Sequence, residues 1–297
     1  WAAGWTYADS NGFFADAFLN NNLQADAGEP AGQTDSQGYF SLPESVQDGI
    51  ARLVALGGTD ISTNTLLSNL ALIADLPSDL SSNAVISPIS SVIAAADSDE
   101  AKAAVLTALG IEGTVDEFLA IDIWALAEDG DDDGLSLQRL NQQIALVMTT
   151  IQTLDENSLP AELPGLAEDA AAAIAAQISS SGAIDLESSS QLIAVVNEAL
   201  PELSSTSEAI IAAVAETMAD INELLDGETV DPTSAAAIEF VQTTQTELLE
   251  SVTDLVDSVT SLSEFAAETG LDNLFSDNQI YTSQVTPNNN AGGETDG

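Results

Sequence analysis

Apolar residues recur at three- and four-residue intervals through much of the chain. LSLQRLNQQIALVMTTIQTL, residues 135–154, reads as one long amphipathic helix. Near the other end, Val241, Leu248, Val252, Leu255, Val259 and Leu262 keep a 3–4 spacing, with Asp231 placed to cap the helix, Pro232 in its first turn and Gly270 to close it. Phe240, Leu249, Val256 and Phe265 widen that stripe. The width favours a core helix of an antiparallel bundle over a coiled-coil seam.

Further helices are expected near 165–180, 186–200 and 206–226, with Gly165, Gly182, Pro201 and Gly227 between or beside them. Thr114 and Glu117 form a capping box ahead of FLAIDIWALA. Ser98, Asp99 and Glu100 place polar and acidic groups at the start of EAKAAVLTALG, and Gly110 ends it. Residues 1–43 differ: they are rich in aromatic residues, Gly and Asn. Thr34-Asp35 and Gly38 read as a turn, with Tyr39–Leu42 as a strand. Ile280–Thr286 is expected as a second short strand, and beyond Pro287 the composition is that of a linker or disordered end. The expected architecture is therefore mainly α: a β-rich partial module over 1–43, a helical bundle over 44–270 and an extended tail over 271–297.

Charge narrows the partners. Among 297 residues, 49 are acidic and three basic, Arg52, Lys102 and Arg139, for a net charge of -46. Mass scaling gives a folded surface on the order of 12,000 Å², hence about 15 Å between neighbouring carboxylates. Screening lengths are about 8 Å in physiological saline and about 3 Å at 1 M salt. Repulsion is thus damped in saline and serious in dilute buffer. Three cations make no phosphate-binding surface, so neither nucleic acid nor an anionic membrane is an expected partner. Divalent cations and cationic surfaces are favoured. With no Cys and no His, disulfides, thiolate chemistry, the usual zinc sites and imidazole catalysis are excluded. No apolar run is long enough to span a bilayer. The start at Trp1, without a signal-peptide pattern, fits a processed segment, and the composition suggests an extracellular or cell-surface location.

Two acidic stretches are candidate calcium loops. In FLNNNLQADAGEP, Asn20, Asn22, Asp26 and Glu29 stand at loop positions 3, 5, 9 and 12, while Phe18 and Leu23 occupy the places of the first aspartate and the turn glycine. Asp16 and Asp35 are near enough in sequence to supply the missing ligands. In EDGDDDGLSLQRL, Asp129, Asp131 and Asp133 stand at positions 1, 3 and 5 with Gly134 at 6, but Leu137 and Leu140 fall at 9 and 12. Three carboxylates in five residues invite a cation, held weakly and partly hydrated, but a solvated inter-helix loop is the favoured reading of them. Paired carboxylates of the glycosidase kind are available, though nothing marks a pair in an apolar pocket. Serine chemistry lacks a histidine, and a Ser–Lys dyad would need Lys102, on a helix read as exposed. Trp1, Trp5 and Trp124 are more readily core or interface groups than sugar platforms.

NGFFADAFLNNNLQADAGEPAGQTDSQGYFSLP resembles the strand–loop–strand of repeat modules in large secreted, adhesin-like surface proteins of marine bacteria. The match rests on Asp26, Gly28, Glu29, Pro30, Thr34, Asp35, Gly38, Phe40 and Leu42. GGTDISTNTLL (57–67), VISPISSVIAAA (85–96) and AVLTALGI (104–111) are similar to the helical segment that follows that module. The resemblance implies an extracellular, calcium-binding protein of cell-surface architecture or adhesion. The β module is cut short upstream, so its sheet and a tail strand are expected to complete each other between copies. The function expected is a subunit of a cell-surface filament or sheath. The alternatives are a monomeric adhesin or ligand-binding module and an acidic glycoside hydrolase.

Overall fold

In so acidic a chain, the stretch from Leu140 to Leu154 carries no charged residue. In the computed structural model it forms the middle of a 27-residue helix, α5 (Asp132–Ser158), and every residue from Asn141 to Gln152 is buried. The structure describes residues 12–16, 31–33, 52–56, 59–60, 65–66, 70–76, 85–158, 166–204, 208–226, 231–257 and 260–269. The fold is mainly α, a helical bundle with a small β component. Among the described residues no helix is long and apolar enough to cross a membrane.

Around α5 pack α1 (Pro88–Ala94), α4 (Ile123–Glu128), α6 (Leu166–Ser181), α9 (Glu208–Asp226) and α10 (Ala235–Val256). The remaining helices are α2 (Asp99–Ala108), α3 (Val115–Leu119), α7 (Ser189–Ala199), α8 (Pro201–Ser204) and α11 (Leu262–Glu268). The expected punctuation is present at several ends. Ser98 caps α2, and Thr114 with Glu117 closes a capping box on α3. Two expected helices are divided. FLAIDIWALA is split where Asp122 caps α4, its carboxylate accepting from the Ala125 N–H at 2.9 Å. The last helix starts at a Ser234 cap rather than at Asp231, stops at Val256, and restarts at a Ser261–Glu264 capping box. Asp231 instead folds the preceding turn, accepting from the Thr233 N–H at 2.8 Å.

Among the described residues the first helix is α1, at Pro88, and strands occupy part of the stretch expected to be helical from residue 44. Strands β1 (Gly12–Asp16), β2 (Ala31–Gln33), β3 (Arg52–Leu56), β4 (Thr59–Asp60), β5 (Thr65–Leu66) and β6 (Ala71–Asp75) precede it. The sheet therefore runs past the expected boundary at 43, and 57–67 contributes the β4–β5 pair rather than a helix. RLVAL and ALIAD are short apolar runs, and most of their residues are buried, so neither shows the alternation that marks a strand. The main sheet is antiparallel in the order β2-β1-β3-β6, with Phe14 opposite Val54 and Val54 opposite Ile73. Its core residues, Leu53, Leu72 and Ile73 among them, belong to one apolar cluster with the helices through to Phe265. The expected strands at 39–42 and 280–286 lie outside the described residues.

One edge of this sheet is sealed. On β6, the Ile73 N–H donates to Ser91 Oγ at 2.9 Å, and the Ile73 carbonyl accepts from Ser90 Oγ at 2.8 Å. Both serines belong to α1, whose capping box is Ser87 with Ser90. From α5, Asn141 Oδ1 accepts from the Ile89 N–H at 3.3 Å and satisfies another free donor of the α1 first turn. The backbone N–H and carbonyl that Ile73 would offer to a neighbouring strand are thus used internally.

Candidate functional site

The acidic run 129–134 is a helix–helix corner. Asp129 ends α4, and Gly130 takes φ +75, where L side chains are strained. The Asp131 N–H reaches the Leu126 carbonyl at 3.1 Å and the Gly130 N–H reaches Ala127 at 3.0 Å, a Schellman closure. Asp131 then caps α5: its Oδ1 accepts from the Gly134 N–H at 3.0 Å. Asp132 and Asp133 lie in the first turn of α5, where the helix dipole favours acids. Gly134 is helical and buried, and a Cβ there would stand 2.6 Å from Leu126 Cβ and 2.7 Å from the Ala127 nitrogen. Its role is the close approach of α4 to α5 rather than an ion-loop turn. Asp129, Asp131 and Asp133 are exposed, and among the described residues no group of three or more acids is arranged to hold a metal. Asn20, Asn22, Asp26, Glu29 and Asp35 lie outside the described residues. Asp16 closes β1 opposite Arg52.

Two of the three basic residues converge. Lys102, half-buried on α2 rather than exposed, forms a salt bridge with Asp75 at the end of β6. Arg52, the cross-strand partner of Asp75, sits 4.0 Å from the same carboxylate and donates to the Ala94 carbonyl at the end of α1 at 3.0 Å. The Asp75 carboxylate therefore ties the sheet to α2, and Arg52 ties it to α1. Arg139, the third cation, is buried in α5.

Beside this clamp, an open cleft of about 570 Å³ lies between the α1–α2 corner and α6. Alanines 95, 96 and 101 and the Ala172–Ala176 face of α6 form its floor, and Asp97, Asp169 and Glu198 supply its charge. No Lys or Arg lines it. Asp169 is exposed at its outer parts, yet burial against the cleft wall pushes its carboxyl above the ordinary value. A second acidic cluster joins the α6–α7 loop to the end of α9. There, desolvation first, then the charge of Asp226, the charge of Asp185, a hydrogen bond with Asp226 and the charge of Glu223 raise Glu187.

The sequence reading missed the polar interior of α5. Gln143 Nε2 donates to the Asn222 carbonyl at 2.9 Å, and Asn222 Nδ2 donates to Leu186 at 2.8 Å. Gln245 Nε2 reaches Thr149 Oγ1 at 3.0 Å. These amides tie α5, α9, α10 and the loop before α7 together. The uncharged run 140–154 was the available signal: only a helix with no solvent-facing side dispenses with charge in a chain of this composition. Compared with protein-family models, curated proteins and solved structures, the chain matches none of them.

Proposed function

We propose that the chain is an extracellular structural subunit that polymerises through its sheet, with divalent cations damping repulsion between copies. One observation carries this reading: the sheet has two unlike edges. β6 is sealed by the hydroxyls of α1, whereas β2 pairs with β1 on one side and has no second strand neighbour among the described residues. A sheet that accepts a strand at one edge only makes head-to-tail contacts, which continue as open polymers when the rotation does not close. The donor in this reading is the tail segment Ile280–Thr286 of another copy, chosen from its sequence pattern. Calcium is the favoured cation, held weakly at exposed acids such as Asp129 and Asp133 and by the sequence-predicted ligands Asn20, Asn22, Asp26, Glu29 and Asp35. The test is to delete residues 276–297 and examine the product by negative-stain microscopy. Loss of filaments supports the strand exchange, and unchanged filaments remove this tail as the donor.

The cleft favours a second reading, a ligand-binding module of a surface protein. Its volume lies in the small-molecule range, and acids on an alanine floor suit an organic cation with an apolar body. Calorimetric titration with a linear polyamine, against magnesium at equal charge, addresses it. Saturable heat that Asp169→Asn abolishes supports a specific site, and equal heats from both cations reduce it to general charge attraction.

A further inference from the structure

The two walls of the cleft are held in different ways. The α6 wall is fixed by packing: Ala170, Ala171, Ile174 and Ile178 of that helix are buried in the core. The opposite wall is the corner between α1 and α2, which gives Ala95, Ala96, Asp97 and Ala101 to the lining. Much less of this corner is buried. Residues 97–100 are exposed, and within α2 only Val105 and Leu106 are buried.

The corner is instead fastened to the sheet at both ends. Where it begins, Arg52 of β3 donates to the Ala94 carbonyl at 3.0 Å. Where it ends, Lys102 forms its salt bridge with Asp75 of β6. Arg52 and Asp75 are cross-strand partners, so both ties start from one point of the sheet. Between the ties the corner is bonded to itself. Ser98 Oγ accepts from the Ala101 N–H at 3.1 Å, and the Ser98 carbonyl accepts from the Lys102 N–H at 2.8 Å. Neither Arg52 nor Lys102 lines the cleft.

We propose that Arg52 and Lys102 are positioning residues for the cleft: they set its width, and so its affinity for an organic cation, without touching the ligand. The inference rests on the ligand-binding reading of the cleft. Charge and position make opposite demands here. Removing either positive charge makes the surroundings more negative, and on Coulombic grounds alone a cation then binds more tightly. Removing a tie loosens one wall, and a site that must first be ordered binds more weakly. The two effects differ in sign, so binding tells them apart.

Calorimetric titration of the full chain with spermidine, with magnesium as a probe of charge alone, tests it. The unaltered chain is expected to bind spermidine saturably and to lose that binding in Asp169→Asn. Lys102→Gln is expected to bind spermidine about tenfold more weakly, and magnesium no more weakly, than the unaltered chain. Lys102→Arg keeps the charge and the reach and is expected to restore spermidine binding. Spermidine binding by Lys102→Gln that equals or exceeds that of the unaltered chain overturns the positioning role and leaves the cleft reading standing. No saturable binding by the unaltered chain, or binding that survives Asp169→Asn, overturns both. Should Lys102→Gln fail to fold by circular dichroism, Arg52→Gln is read by the same criteria, since it loosens the other end of the corner and also removes a positive charge.

Discussion

At the scale of single residues, the same chemistry serves two different purposes at 129–134. Aspartates at a helix start and aspartates around an ion are both oxygen acceptors, so DGDDDG is ambiguous as sequence. The positions of Leu137 and Leu140 already spoke against a full loop, and Gly134 is explained by the α4 backbone. Gly134→Ala ordinarily gains about 1 kcal/mol of helix propensity. Here the added methyl meets Leu126 and Ala127 below 3 Å. The variant is expected to lose about 1–3 kcal/mol in urea unfolding. Glu187 tests the second acidic cluster. Its folded pKa is raised, so its contribution to stability is full below the unfolded value of 4.5 and is lost as pH rises through the folded value. Glu187→Gln should therefore raise Tm at pH 7, with the difference vanishing below about pH 4. Asp75→Asn leaves Arg52 and Lys102 facing a neutral amide and is expected to cost about 1–3 kcal/mol, measured the same way.

Elements were legible where their ends carry chemistry and illegible where burial is complete. The caps at Ser98 and Thr114, and the helices over 166–181, 189–199 and 208–226, follow from polar punctuation and spacing. The strands β3 and β6 did not, because a strand buried on both faces loses its alternation. The break at Ser261 was hidden for another reason: apolar spacing continues through it from Leu255 to Phe265, and only the Ser261–Glu264 pair marks the restart. The α1 serines show how an element can act on another element's edge. Ser91→Ala leaves the Ile73 N–H without its acceptor at a buried edge, so a loss of about 1–3 kcal/mol is expected. Faster exchange of the Ile73 amide, measured by NMR, would accompany it. Stability and exchange both unchanged would mean that β6 is protected by packing alone.

For the whole molecule, charge and sheet topology set the terms. Of the few bases, two meet at Asp75 and one is buried. In the proposed account the exposed acids therefore depend on dissolved cations. The unlike sheet edges were not legible, because they depend on β3 and β6, which the sequence pattern concealed. In the proposed account these two features work together: cations damp repulsion between copies, and the β2 edge gives their association a direction. Sedimentation velocity of the full chain is the most direct measurement, run over a range of protein concentrations in millimolar calcium and in sodium chloride of matched ionic strength. The account predicts an open series of growing species, larger in calcium and reversed by chelation. A single monomer boundary at every concentration in both salts would contradict it.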